Sequence, residues 1–116
     1  MKMASKIGEL KRQGDVLFIR RDKLPAGASR KRPDGAVAYG ESTGHSHRLA
    51  DLETAEVLEI GEGIFVRVSG EGVSIAGDPG ATFVHEEHGP VSLSPGNYEI
   101  RIQREYSPEA IRNVVD

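Results

Sequence analysis

The four histidines of the chain fall in two short clusters, Gly44-His45-Ser46-His47-Arg48 and His85-Glu86-Glu87-His88. On an extended strand alternate side chains share a face, so an H-x-H pair can aim two imidazoles at one point. An H-x-x-H pair fits a strand running into a turn, or one turn of helix. Imidazole is the commonest nitrogen ligand of transition metals, and two such pairs joined by a β-scaffold would make a mononuclear centre. In that reading His45, His47, His85 and His88 are the metal ligands, with Glu41, Glu86 or Glu87 available as a carboxylate donor. The ion is a divalent transition metal, zinc first, with manganese, iron or nickel as alternatives. Three protein ligands and an open position would support metal-assisted hydrolysis. Glu86 or Glu87 would then act as general base and Arg48 would hold an anionic substrate, which makes these three the catalytic candidates.

The same residues allow other roles. Two imidazoles, one neutral and one protonated, can cleave an RNA phosphodiester without metal, with Arg48, Arg101 and Arg104 on the phosphate. A compact β-domain can also serve as a non-enzymatic module that forms a homo-oligomer or decorates a larger assembly, its histidines being structural. His85 and His88 stand beside Gly89-Pro90, a turn signal that can send one of them to solvent. Strand alternation makes His45 and His47 the firmer half of the site.

The elements that must position these residues are short. In 116 residues there is room for one domain. Fourteen glycines and six prolines imply many turns, and an aromatic content of 5% without tryptophan implies a mainly aliphatic core. The absence of cysteine excludes disulfides and thiolate ligands, so any metal is held by nitrogen and oxygen. A formal charge of −3 argues against a dedicated nucleic-acid protein. However, ten of the fifteen Lys and Arg residues lie in the first 32 positions, so contact through residues 20–32 stays open. No apolar leader and no run of membrane-spanning length are present, which points to a cytoplasmic protein without a membrane partner.

Residues 1–13 are polar, with a weak helical spacing of Ile7 and Leu10, and read as a flexible or short helical arm. Gly14-Asp15 opens the strand Val16–Ile19, and residues 22–35 read as a loop. Further strands are expected over Ala36–Glu41, His45–Ala50, Thr54–Ile60, Ile64–Val68, Gly72–Ala76, Ala81–His85, Val91–Leu93 and Asn97–Tyr106. Tyr98, Ile100 and Ile102 fall on one face of the last and Glu99, Arg101 and Gln103 on the other, a sheet with one wet side. Ser107-Pro108-Glu109 is an N-cap signal for a short C-terminal helix over 107–116. The expected fold is all-β, a small barrel or sandwich of about eight short strands over 14–106, with that helix packed on the same domain.

Two resemblances follow from these residues. Gly40, His45-Ser46-His47, Glu53 and then His85 or His88 are weakly similar to the cupin pattern, which implies metal bound inside a β-barrel. The departures are the spacing of Glu53 from His47 and the place of Pro95-Gly96 after the second histidine cluster. Gly14-Asp15-Val16, Tyr39-Gly40-Glu41-x-Thr43-Gly44-His45-x-His47, His85-Glu86-Glu87-His88, Leu93-x-Pro95-Gly96-x-Tyr98 and Gln103-Arg104-Glu105-Tyr106 resemble a group of small bacterial and phage-associated proteins of unknown function. That second resemblance covers most of the chain and implies one complete unit, but no activity.

Overall fold

A computed structural model describes residues 7–39 and 45–103. It is all-β, and no helix occurs among the described residues. Ten strands run in the order β1 (Leu10–Gln13), β2 (Val16–Arg21), β3 (Ser29–Lys31), β4 (Ala36–Tyr39), β5 (Ser46–Leu49), β6 (Ala55–Ile60), β7 (Gly63–Val68), β8 (Ala81–Val84), β9 (Val91–Leu93) and β10 (Gly96–Ile102). They form a six-stranded sheet, β1-β2-β10-β7-β6-β3, and a four-stranded sheet, β4-β5-β8-β9. Every pairing within the sheets is antiparallel.

The alternating pattern explains where the core lies. Val16 and Phe18 of β2, Val57 of β6, Val66 of β7 and Tyr98 and Ile100 of β10 turn inward from the larger sheet. Val37 of β4, Leu49 of β5, Phe83 of β8 and Leu93 of β9 complete the same cluster from the smaller one. Phe18 and Phe83 meet across the two sheets with ring centroids 4.9 Å apart, tilted by 47°. On the opposite face of the larger sheet Leu58, Ile60 and Phe65 make a second small cluster with Leu24. The remainder of that face is wet, as alternation requires, and carries pairs such as Arg67–Glu56 at 3.0 Å and Arg21–Glu99 at 2.7 Å.

Two strands lie where the sequence reads as something else. Leu10–Gln13, expected in a helical arm, is β1, the edge strand beside β2. Its residues are good helix formers, but a two-residue Gly14-Asp15 loop with Gly14 at φ 61° folds them back in register, Gln13 opposite Val16. Cross-strand pairing thus overrides local propensity. Ser29–Lys31, expected as loop, is β3, and Arg30 stands directly opposite Glu59 of β6. Arg30 and Arg32 both hydrogen-bond the Glu59 carboxylate, at 2.6 and 2.7 Å, and hold it below the usual carboxylate range. Conversely, Gly72–Ala76 forms no strand and contributes one isolated bridge, Val73 opposite Pro79.

The smaller differences have similar causes. Ile102 shares the inward face of β10 yet is half exposed, because β7 stops pairing at Ile100 and only β2 continues. The expected C-terminal helix, Arg104 and the Gly40–Gly44 turn with Glu41 lie outside the described residues.

Replacing Phe83 with Ala should lower unfolding free energy by about 3–5 kcal/mol, since the side chain is fully buried and bridges both sheets. Urea denaturation should show the midpoint falling at nearly constant slope.

Candidate metal centre

The two histidine clusters do come together, at one end of the smaller sheet. His47 lies within β5, His45 immediately precedes it, and His85 and His88 occupy the connection from β8 to β9. β5 and β8 are neighbours, with Arg48 opposite Val84, so pairing of these strands alone brings the second cluster beside the first. His85 sits in the middle. Its ring is stacked on that of His47 at 4.1 Å between centroids and lies edge-on to that of His45 at 5.9 Å. His88 follows at 4.9 Å from His85.

The direct convergence of His45 and His47 that alternation suggests is therefore interrupted by His85. The group that brings three donors together, each ligand atom within 4.8 Å of the others, is His45, His85 and Glu86. Two imidazoles and one carboxylate are a familiar nitrogen–oxygen donor set for a divalent transition ion with open positions. Glu53, the carboxylate that the cupin order would supply, lies in the turn after β5, with its amide donating to Asp51 Oδ1 at 3.0 Å. It is not part of the donor group.

Glu86 is fixed on both oxygens. The Ser46 amide donates to Oε1 at 3.1 Å and Arg48 Nη1 donates to Oε2 at 2.7 Å. Desolvation pushes its carboxyl up, but the Ser46 and Glu86 amides and the Arg48 guanidinium outweigh this and hold it at about 2. Glu86 is thus a permanent carboxylate, a good ligand and a poor general base near neutrality. Arg48 is committed to Glu86 and to the Ser46 carbonyl at 3.0 Å, which leaves it little charge to offer a substrate. Glu87 is the freer acid, with Oε2 3.9 Å from His45 Nδ1.

His85 is not yet arranged as a ligand. Its Nδ1 accepts the Glu87 amide hydrogen at 3.0 Å, so in the neutral ring the proton sits on Nε2. Loading an ion there must break that hydrogen bond or move that proton, a cost of about 1 kcal/mol.

His47 differs. It is 4% exposed, and Nδ1 lies 2.9 Å from Gln13 Oε1. Gln13 is itself buried and donates through Nε2 to the Phe83 carbonyl at 3.0 Å and the Gly89 carbonyl at 2.9 Å. With both amide hydrogens used, its oxygen can only accept, so His47 carries its proton on Nδ1. Gln13 is the site residue that sequence reasoning missed. The signal available was the Gly14-Asp15 hairpin turn, which would have placed Gln13 on the inner face, opposite Val16.

The basic segment is paired internally. Arg20 donates to the Pro95 carbonyl at 2.6 Å, Arg21 binds Glu99, and Lys31 lies 3.9 Å from Glu56. No helix among the described residues is long and apolar enough to cross a membrane.

These features define a small antiparallel β-domain with a histidine–carboxylate cluster at one end. The chain belongs to the family described as a domain of unknown function, DUF8820, whose model matches residues 12–103. That match runs from within β1 to just past β10 and takes in all four histidines. No curated protein and no solved structure matches the chain.

Burial lowers the pKa of His47 to about 4, helped by the neighbouring His85 and only partly opposed by Asp15. An unfolded histidine titrates near 6.5, so between pH 6.5 and 4 the unfolded state binds the extra proton. The stabilisation from keeping His47 neutral is complete above pH 6.5 and is lost as pH falls toward 4. Metal-depleted protein should lose roughly 2 kcal/mol between pH 7 and pH 5 from this residue. Denaturation curves at the two pH values check this, and a His47→Phe variant should show the smaller slope.

Proposed function

We propose that this domain binds a divalent transition metal through His45, His85 and Glu86, with zinc as the first candidate and manganese, iron or nickel as alternatives. The observation that carries the proposal is the approach of three donor atoms, from either side of a β-strand pairing, to within 4.8 Å. Two further features support it. Glu86 is kept ionised by Arg48 and by backbone amides, as ligating carboxylates commonly are. The donors are nitrogen and oxygen only, which fits these ions. Three ligands leave positions for water, so metal-assisted hydrolysis is the chemistry proposed. Glu87, beside His45, would be the base in place of Glu86.

Protein purified without a histidine tag should carry close to one equivalent of metal that depends on these residues. His45→Ala or Glu86→Gln should weaken binding at least tenfold, as measured by elemental analysis and calorimetric titration. Unchanged metal content in both variants would overturn the assignment.

A second reading rests on a different region. Val73 and Ile75 are 69% and 67% exposed on the connection between β7 and β8. Apolar residues so placed favour a docking role for that loop, in a homo-oligomer or a larger assembly. Light scattering of the wild type and a Val73→Ser/Ile75→Ser variant tests it. A monomer up to millimolar concentration, unaffected by the substitutions, removes the homo-oligomer.

A further inference from the structure

His47 and Asp15 face one another without a hydrogen bond between them. His47 Nε2 lies 3.7 Å from Asp15 Oδ1, too far for a direct bond. Because Gln13 holds the proton on Nδ1, Nε2 presents a lone pair, and the carboxylate presents another. Two acceptors aimed at each other across such a gap repel unless something electron-poor lies between them. The spacing suits a metal ion: one bonded to both at about 2.1 Å would subtend an angle of roughly 120°.

Two independent observations point the same way. First, the Gln13–His47 pair reproduces the support that metal-bound imidazoles need. The remote nitrogen donates to a fixed oxygen, which sets the tautomer and the plane of the ring. Gln13 has no freedom to do otherwise, since its amide hydrogens are held by two carbonyls. Second, His88 closes over the same turn. Its ring is within 14° of parallel to that of His47, and a Cβ built on Gly14 would lie 2.6 Å from His88 Nε2. Gly14 adjoins Asp15, so a third nitrogen stands next to the pair. The absence of a side chain at Gly14 is what lets it approach.

We propose a second cation position in this domain, formed by His47 Nε2 and Asp15, completed by His88 from the β8–β9 connection, and distinct from the group of His45, His85 and Glu86. Gln13 is its positioning residue. The ligand is a divalent transition ion, and the two positions lie on either side of His85. This position does not depend on the first being occupied, and its donor pair requires no proton to move.

The test is titration of metal-depleted full-length protein with Co2+ and Zn2+, read by bound stoichiometry and, for Co2+, by visible absorption. Asp15→Asn is the informative variant, because Asp15 is half exposed and its structural contact is its own carbonyl, which accepts from the Gln103 amide. Wild type should bind two equivalents and Asp15→Asn one, with the lost equivalent weakened at least tenfold. His45→Ala should lose the other equivalent and keep the Asp15-dependent one. If that equivalent persists while His45→Ala changes nothing, the first assignment fails and this one stands. Long-range nitrogen–proton NMR gives a readout independent of binding strength. Metal-free His47 should show the Nδ1–H tautomer at pH 7, and Zn2+ should move the Nε2 resonance. A single equivalent insensitive to Asp15→Asn, or a His47 ring protonated on both nitrogens at pH 7, overturns the proposal.

Discussion

The fold and the histidine cluster both depend on one buried amide. Gln13 belongs to the six-stranded sheet, yet its side chain bonds the Phe83 carbonyl, the Gly89 carbonyl and the His47 ring, all in the four-stranded sheet or its β8–β9 connection. Without it three buried polar groups would face an apolar interior, each at a cost of about 1–3 kcal/mol. Apolar packing between Phe18 and Phe83 supplies attraction across the sheets but little orientation. The amide supplies orientation, since its donors and acceptor cannot be exchanged. In doing so it fixes which nitrogen of His47 is protonated, so a packing constraint also decides the chemistry of the cluster.

That coupling explains why the histidines are not equivalent. His47 is buried, neutral and pre-set to use Nε2. His85, the residue through which the other rings are connected, spends Nδ1 on the Glu87 amide and must rearrange to coordinate. His45 and His88 sit nearer the surface, on segments that adjoin strands rather than within them. One cluster of four imidazoles therefore contains a rigid member and three that depend on turns. A single four-histidine cage is a poor description of it. Stacked rings at 4.1 Å direct their nitrogens outward in their own planes rather than at one centre.

Much of the fold was legible because the strands that carry the core alternate or run continuously apolar. Val16–Ile19, Ile64–Val68 and the last strand are recognisable for this reason. What escaped detection were β1 and β3, whose residues are polar and exposed on most positions. Their pairing is dictated from outside the segment, by a two-residue glycine turn in one case and by Glu59 on β6 in the other. The site divided along the same line. Histidine spacing alone pointed to the right residues, and β5–β8 pairing brought them together. The order of the rings and the contribution of Gln13 depend on tertiary neighbours, which no local pattern records.

The charge around the cluster narrows what it can attract. Glu86 is neutralised by Arg48 at 2.7 Å, so neither contributes much field at a distance. Glu87 and Asp15 border the imidazoles, and among the described residues their ion-pair contacts are to histidine alone, at 3.9 and 3.7 Å. His47 is neutral in the physiological range. The cluster thus presents lone pairs and carboxylates with no free guanidinium directed at them. Such a surface draws cations and repels phosphate, because the two carboxylates lie within a Debye length of anything bound between the rings. Metal-free cleavage of RNA needs the reverse, a protonated imidazole and a cationic clamp on the phosphate. Arg48 was the residue best placed by sequence to provide that clamp, and its commitment to Glu86 turns the site toward metal.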